Sequence, residues 1–174
     1  MDNVSPNSDS VHIGAIDPRS THATSAMGEY FAELAARFSD GFEPGDTLTE
    51  DAKFFEAPYG AFLLIQESHD DRGSPDNEEV LGCGAVRLLT DEIAEIKRMW
   101  ISAPARGRGL GRLLLGRLEE EATRLGARRV RLDTNSVLVE AIAMYESTGY
   151  QQIERYNDNP FAQRWFEKQL ALKE

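Results

Sequence analysis

The feature that most constrains the fold of this 174-residue chain is a glycine-rich turn that joins a predicted strand to a predicted helix. The turn reads Arg-Gly-Arg-Gly-Leu-Gly over residues 106–111, between an alternating segment at 93–101 and an amphipathic stretch at 109–125. The first turn of a helix has unpaired N–H groups and the positive end of the helix dipole, so it binds anions. Glycines let several amides converge on one point. The segment therefore predicts a site whose size and charge suit a pyrophosphate.

Other phosphate-binding loops fit this segment less well. A nucleoside-triphosphate loop requires Gly-Lys followed by Ser or Thr, and the sequence contains no such triplet. The dinucleotide-binding fingerprint places its third glycine where this chain has Arg112. A turn that only packs a helix on a sheet is an alternative, although Arg106, Arg108 and Arg112 beside the glycines favour an anion site.

Hydrophobic periodicity and turn residues divide the rest of the chain into regular elements. The predicted elements are helices over 20–38, 109–125 and 136–148, and strands over 60–66, 80–89, 93–101, 129–132, 151–155 and 163–170. A short helix around 49–55 and an exposed hairpin connection over 67–79 complete the pattern. Residues 1–18 are polar and aperiodic, which predicts a flexible tail before a single domain over 19–174. The element order predicts an α/β fold, with a mixed sheet flanked by helices.

Two of these elements have a distinctive pattern of faces. In the strand over 93–101, alternation places Glu95 and Lys97 on the same face as Met99 and Ile101, and neither face is purely apolar. Gly82 and Gly84 interrupt the preceding strand, which indicates a bulge or a close packing point. The apolar stripe predicted for the helix over 109–125 consists of Leu110, Leu113, Leu114, Leu118, Ala122 and Leu125.

Charge restricts the possible partners. The net charge of −11 argues against nucleic acid, because an acidic surface repels a phosphate backbone. Residues 96–118 nevertheless contain six of the 19 Lys and Arg residues and no Asp or Glu. That contrast favours a small anionic ligand, with chance clustering on a solvated helix face as the alternative.

Composition also predicts the compartment. No apolar run approaches the roughly 20 residues of a membrane helix, and residues 1–10 lack the apolar middle of a secretory signal. The lone Cys83 excludes an internal disulfide and suggests a reducing compartment, so a cytoplasmic location is expected. Three scattered histidines (His12, His22 and His69) show no metal-ligand spacing, and no metal is expected.

Two motifs together resemble a known family. Arg106-x-x-Gly109-x-Gly111 resembles the Q/R-x-x-G-x-G/A signature of the GNAT superfamily of N-acetyltransferases, and it lies between the expected strand and helix. Residues 141–150 resemble the family's A-x-x-x-Y-x-x-x-G-F segment, with Tyr150 in place of the usual Phe. The resemblance covers about residues 20–172. It implies a mostly antiparallel sheet in which one pair of strands splays apart.

The resemblance also implies a set of coenzyme-binding residues. The backbone of the strand before the loop would pair with the pantetheine arm of acetyl-coenzyme A, and amides over 106–112 would hold the pyrophosphate. Many members carry an Asn where this chain has Leu138. Asn135 is the nearest candidate, although a helix cap explains it equally well. The implied residues are Met99, Trp100, Ile101, Arg106, Gly107, Arg108, Gly109, Leu110, Gly111, Arg112 and Asn135.

Two catalytic roles follow from the same resemblance. Tyr145 matches the tyrosine whose hydroxyl points at the coenzyme sulfur and protonates the leaving thiolate, unless it only packs the helix on the sheet. Glu95 resembles the glutamate that acts as the base in the histone-acetylating branch, with a pKa raised by burial. The alternatives are that Glu95 pairs with Lys97 or Arg87 or meets water, and that a water relay takes the proton.

The implied function is transfer of an acetyl group from acetyl-coenzyme A to a primary amine by direct attack. The default acceptor is a small molecule or amino-acid derivative, shaped by about residues 20–59 and 156–165, with a protein amino group second. A non-catalytic acyl-coenzyme A sensor is an alternative of another class. Bulky Met99 and Trp100 disfavour a longer acyl chain. A homodimer is left open.

Overall fold

The computed structural model of the chain describes residues 10–43, 51–69 and 78–171. Within them, seven strands form one sheet in the order β1-β2-β3-β4-β5-β7-β6, antiparallel except for the parallel pair β4 and β5. The strands are β1 Ser10–Ala15, β2 Gly60–Ser68, β3 Glu78–Leu88, β4 Ile93–Ile101, β5 Arg129–Thr134, β6 Gln151–Ile153 and β7 Arg164–Gln169. The helices are α1 Thr21–Arg37, α2 Leu110–Arg124 and α3 Val139–Ser147. The predicted mixed, mostly antiparallel sheet flanked by helices is confirmed.

The first strand is a correction to the predicted tail over residues 1–18. Residues 10–15 pair antiparallel with β2, and Ile13 lies opposite Ile65. Val11 and Ile13 pack against the core, so the open edge of β2 gains both hydrogen bonds and apolar contact. A six-residue strand with only two large apolar side chains is too short for periodicity to detect. Residues 1–9 lie outside the described part.

Most helix boundaries follow from local chemistry. The Ser20 side chain accepts a hydrogen bond from the Ala23 amide at 3.2 Å and so caps α1. Gly149, with φ of 97°, follows the end of α3 in a left-handed conformation that glycine adopts without strain. The short helix predicted over 49–55 is a 3-10 turn at Ala52–Phe54, and residues 44–50 lie outside the described part. The predicted hairpin connection lies mostly at 70–77, which are also outside it. None of the described helices is long and apolar enough to cross a bilayer.

The core lies on both faces of the sheet, with α2 and α3 on one face and α1 on the other. The buried side chains of α2 are Leu110, Leu114, Leu115, Leu118 and Ala122. The prediction for Leu113 is wrong: its side chain is 52% exposed, while Leu115 is 1% exposed. The apolar stripe is therefore centred about one residue away from the predicted position, because both Leu113 and Leu115 flank the Leu114–Leu118 ridge and only one side of it meets the sheet.

A β-bulge in β4 overturns the predicted sharing of faces. Cys83 pairs with Trp100 and Ala85 pairs with Lys97, so the single residue Gly84 lies opposite both Arg98 and Met99. Arg98 has a φ of 57°, the left-handed conformation that absorbs the extra residue. Beyond the bulge the faces exchange, so Met99 and Ile101 lie on the α2 side of the sheet, whereas Glu95 and Lys97 do not. The indication of a bulge near Gly84 is confirmed.

The parallel pair β4 and β5 is splayed, as the resemblance implied. The strands pair only from Ile93 opposite Arg129 to Glu95 opposite Arg131. Beyond that point β4 stays with β3 and β5 stays with β7, which leaves a gap at the middle of the sheet. The gap opens into two adjoining cavities, and helices α1 and α3 contribute to the walls of both.

Candidate active site

The first turn of α2 leaves a group of backbone amides without partners. Gly109 occupies the N-cap position and offers no side chain to cap the helix. Within the described ranges, no hydrogen bond involves the amides of Gly107, Gly109, Leu110, Gly111 or Arg112. Such amides, together with the helix dipole, form a site for an anion.

The three glycines of the loop are required for two different structural reasons. Gly107 and Gly109 have φ values of 82° and 78°, in the region that disfavours any residue with a Cβ atom. Gly111 is helical, but a Cβ there would lie 3.2 Å from the Met144 sulfur. Two glycines therefore set the path of the loop, while the third allows α2 to approach α3 closely.

The three arginines of the loop have separate partners. The Arg106 guanidinium donates to the Ile101 carbonyl at 3.1 Å and forms an ion pair with Glu33 of α1. Arg112 donates to the Ser147 hydroxyl at 2.8 Å. Both side chains line the larger cavity. Arg106 and Arg112 therefore both lie beside the unpaired amides, Arg106 with its charge paired to Glu33.

Arg108 departs from the predicted arrangement. Its guanidinium forms a bidentate pair with Glu67 of β2, at 2.6 and 3.2 Å, and the residue does not line the larger cavity. The pair lowers the pKa of Glu67, chiefly through the hydrogen bonds from Arg108. Arg108 therefore already pairs with a buried carboxylate on β2, and its predicted contact with the coenzyme stays a prediction.

The larger cavity has a volume of about 710 Å³ and extends from the start of α2 along the bulged end of β4 to α3. The wall residues that the sequence predicted are Met99, Trp100, Ile101, Arg106, Gly107, Gly109, Leu110, Gly111, Arg112 and Tyr145. Sequence reasoning missed Arg37 of α1, which forms an ion pair with Glu140 of α3 and donates to the Val137 carbonyl at 2.9 Å. No local pattern could join residues about 100 positions apart.

The smaller cavity, of about 110 Å³, lies in the gap between β4 and β5. Asn135 lines this cavity and not the larger one. Its side chain accepts from the Val137 amide at 3.1 Å and donates to the Phe161 carbonyl at 2.9 Å. Asn135 therefore orders the turn before α3, in line with the capping alternative, and its predicted contact with the coenzyme stays a prediction.

Tyr145 stands where the two cavities meet. It lines both, as does Met99, whose sulfur lies 4.0 Å from the Tyr145 hydroxyl. The ring packs against Tyr150 and Phe166, so Tyr145 is both a packing residue and a wall of the cavities. Burial, and then the nearby Tyr30 and Asp133, raise the pKa of the Tyr145 hydroxyl. The hydroxyl therefore stays protonated and able to donate.

Glu95 lies in a buried charge cluster and lines neither cavity. Its carboxylate accepts from the Tyr156 hydroxyl at 2.7 Å and from Arg87 at 3.1 Å, and Lys97 lies 3.4 Å away. Burial alone would raise the pKa of Glu95, but Lys97, Tyr156 and Arg87 together outweigh it and hold the pKa below its usual range. The expected raised pKa is wrong, and the alternative pairing with Lys97 or Arg87 is what the structure contains.

The loop between β6 and β7 completes the smaller cavity. Asn157 and Asn159 each donate to Asp133, Asn159 at 2.9 Å, and Asn157 also lies 3.3 Å from Glu95. The ring of Phe161 in the same loop packs at a tilt against Phe42, with ring centroids 4.6 Å apart. Sequence reasoning missed Asp133, because its partners lie 24 and 26 residues away in a segment without periodicity.

One group of side chains on β2 and β3 also bears on the expectation that no metal binds. Ligand atoms of Glu67, His69 and Glu79 lie within 4.8 Å of one another across the hairpin of β2 and β3. The oxygens of Glu67 are held by Arg108, and His69 Nε2 lies 2.9 Å from Glu79. These contacts describe an ion-pair cluster.

Comparison with known proteins gives one family and one fold. The sequence model of the acetyltransferase (GNAT) family matches residues 29–150. An uncharacterized N-acetyltransferase of Schizosaccharomyces pombe is 29% identical over 116 residues, which are 66% of this chain and 66% of the relative. Other curated relatives match over about half of their own length, for example 47% for an N-acetyltransferase of Escherichia coli that is 37% identical over 79 residues, 44% of this chain.

Solved structures share the architecture. A GNAT family acetyltransferase of Elizabethkingia anophelis, solved with acetyl-CoA bound, has a TM-score of 0.61 at 15% identity and covers 93% of this chain and 99% of its own. At that level of identity the likeness concerns the fold alone.

Proposed function

The chain belongs to the acetyltransferase (GNAT) family, and from that premise we propose that it transfers an acetyl group from acetyl-coenzyme A to a primary amine. The observation that carries the proposal is the row of unpaired amides at the start of α2, which opens on a cavity of about 710 Å³ that ends at Tyr145. The cavity thus has an anion site at one end and a phenol donor at the other.

The residues present fit the coenzyme. The amides of Gly109, Leu110 and Gly111, with the charges of Arg106 and Arg112 beside them, suit a diphosphate. Beyond Glu95 the edge of β4 has no partner in β5, so its backbone can pair with an extended amide-containing arm as an added strand would. When bound, the coenzyme would supply an activated acetyl thioester.

The chemistry asked of the protein is limited. The neutral amine attacks the thioester carbonyl, the carbon–sulfur bond breaks, and the amine nitrogen loses a proton. Tyr145 donates its hydroxyl proton toward the leaving sulfur, and water restores that proton. Because burial raises the pKa of Tyr145, complete transfer depends on a thiolate that is equally desolvated in the same cavity. The main contribution of Tyr145 is then a hydrogen bond to developing negative charge.

Two routes can remove the proton from the attacking amine, and an experiment distinguishes them. The assignment of Glu95 stays a prediction: the residue lines neither cavity, and it adjoins the wall of the smaller one through Lys97, 3.4 Å away. A water relay into the same cavity needs no side chain with a raised pKa. Loss of Glu95 would abolish turnover by the first route and only slow it by the second.

The acceptor enters, in this proposal, through the smaller cavity, because that cavity meets the larger one at Tyr145 and Met99. Its volume of about 110 Å³ favours a small molecule or an amino-acid derivative over a folded protein surface. Acetylation of protein amino groups and a sensor that binds acyl-coenzyme A without turnover are the alternatives.

Two measurements test the proposal. Calorimetric titration with acetyl-coenzyme A should show binding, and a panel of primary amines should release free thiol only when the right acceptor is present. Tyr145→Phe should keep coenzyme affinity within about threefold and lower kcat by about a hundredfold, the usual effect of removing one donor to developing charge. Tyr59→Phe, at a side chain that is 59% exposed, is the matched control and should behave as wild type.

The outcomes separate the alternatives. Binding of the coenzyme without turnover of any amine, with Tyr145→Phe indistinguishable from wild type, would favour the sensor. No binding at high coenzyme concentration would refute the assignment of the α2 site altogether.

A further inference from the structure

Two basic side chains lie on the wall of the smaller cavity in an acidic protein. The ionisable wall residues, apart from tyrosines, are Lys97, Arg98 and Asp133, and the whole chain has a net charge of −11. Each basic group has acidic neighbours, Glu95 and Asp133 for Lys97 and Asp51 for Arg98. The donors that these neighbours leave unpaired therefore decide which ligand the cavity suits.

The carboxylate on the wall already has partners within the protein. One carboxylate oxygen of Asp133 accepts from Asn159 at 2.9 Å, and the other accepts from Asn157 and lies 3.7 Å from Lys97. The neighbouring Glu95 is likewise held, by Tyr156 and Arg87. Every oxygen of both carboxylates thus already accepts at least one hydrogen bond from the protein.

The positive charges, in contrast, keep donors without partners. The Lys97 ammonium makes two ion pairs, at 3.4 Å to Glu95 and 3.7 Å to Asp133, but no hydrogen bond among the described residues. Arg98 donates through Nη2 to Asp51 at 2.9 Å, while its buried Nε–H has no partner in the described chain. A buried donor without an acceptor is costly, so both groups favour a ligand that supplies acceptor oxygens.

Another part of the cavity wall is aromatic. It consists of Tyr30, Phe38, Phe42 and Phe161, and the three phenylalanine rings pack against one another. The ligand therefore presents an anionic group to the strand side and carbon to the aromatic side.

We infer that the acceptor is an α-amino acid or a similar amino carboxylate, whose carboxylate binds Lys97 and Arg98 while its amine lies toward Tyr145 and Met99. This inference rests on the proposed function, because it names the acceptor for the same reaction. Lys97 and Arg98 lie next to each other at the bulge in β4, and the wall shared by the two cavities starts at the next residue, Met99. The anion site and the reacting end of the acceptor are thus adjacent along the strand.

The experiment compares matched acceptors with acetyl-coenzyme A, following thiol release. Each set contains an amino acid, its amide and its decarboxylated amine, for example L-phenylalanine, L-phenylalaninamide and phenethylamine. The amide has the less basic amine, so it would react fastest if the carboxylate played no part. We expect kcat/KM for the amino acid to exceed that for its amide by at least about tenfold, as expected for hydrogen bonds to a charged group.

Variants of Lys97 link that preference to the cavity. Lys97→Gln should reduce the ratio of amino acid to amide toward one, and Lys97→Arg should retain most of it. Lys53→Gln, at an exposed lysine, should leave the ratio as in wild type. Circular dichroism and coenzyme titration of each variant separate loss of recognition from loss of the fold.

The outcomes distinguish this inference from the proposed function. Faster turnover of the amide or the decarboxylated amine, or an unaltered ratio in a folded Lys97→Gln, would overturn the amino-carboxylate assignment and leave acetyl transfer standing. Silence with every amine, with and without a carboxylate, would overturn both.

Discussion

Replacing Glu95 with glutamine removes one negative charge from a buried cluster and preserves the size of the side chain. In the native protein this carboxylate holds Arg87, Tyr156 and Lys97 from three directions, and it is only 1% exposed. Glutamine has one acceptor oxygen, so at most part of these contacts can persist. Its amide N–H groups would face the donors of Arg87 or Tyr156.

The loss of stability follows from the charges left behind. Removing one partner of a buried ion pair costs about 3–5 kcal/mol, because the other charge stays buried without compensation. We expect the lower end, about 3 kcal/mol, since glutamine keeps one hydrogen bond and Lys97 keeps Asp133 at 3.7 Å. For a chain of this size each 1 kcal/mol shifts Tm by about 2–4 °C, so Tm should fall by roughly 6–12 °C.

At acidic pH the free energies of unfolding of wild type and Glu95→Gln should become more similar. The folded pKa of Glu95 is lowered from its usual value of 4.5, so its contribution is complete above that value and is lost as the pH falls through the folded pKa. Urea unfolding at pH 7 should therefore separate the two proteins by about 3 kcal/mol, and the gap should close below pH 4.5. Glu92→Gln, at an exposed carboxylate, is the control. A gap under about 1 kcal/mol at pH 7, or one that persists undiminished in acid, would refute the reasoning.

Three further predictions concern the core and the loop. Gly109→Ala should weaken coenzyme binding, measured by calorimetry, and destabilise the fold by about 1–2 kcal/mol, because the φ of Gly109 is 78°. Gly116→Ala inside α2 should instead stabilise the fold by about 0.5–1 kcal/mol. Urea unfolding measures both changes in stability. Leu115→Ala should cost about 2–5 kcal/mol in urea unfolding and the exposed Leu113→Ala should cost little, and equal losses would contradict the orientation of the helix. Burial raises the pKa of the Cys83 thiol to about 12, so a thiol reagent at pH 8 should modify it only in denaturant.

Features of the fold that depend on local chemistry could be predicted from the sequence. Helix α1 has a serine cap and a 3.6-residue period, and both are read within one segment. The loop before α2 has positive φ at Gly107 and Gly109, so the local sequence also predicts its conformation. The larger cavity is built mostly by that loop and the strand before it, which is why most of its predicted wall residues lie on it.

Features that depend on distant partners could not be predicted. Strand β1 exists because β2 offers an open edge more than 40 residues later, and its own pattern is too short to show it. Arg108 pairs with Glu67 across 41 positions, a contact that the loop sequence does not reveal. Glu95 is a clear case, since the resemblance implied a base with a raised pKa, whereas the loop carrying Tyr156 covers it from 61 positions away. Pairing with Lys97 or Arg87 was among the alternatives, but the cover by Tyr156 cannot be detected in the residues beside Glu95.

The bulge at Arg98 explains why the two cavities have such different chemistry although one strand supplies both. Without the extra residue, Lys97 and Met99 would lie on one face, and the ammonium would point at the wall of the larger cavity. With it, Lys97 stays among the carboxylates of the gap, while Met99 and Ile101 turn to the apolar side beneath α2. A single left-handed residue thus separates a site suited to an anionic acceptor from an apolar wall suited to a thioester. Arg98 directly precedes Met99, whose sulfur lies 4.0 Å from the Tyr145 hydroxyl. The two environments therefore adjoin at the point where the coenzyme and the acceptor of the proposed reaction must meet.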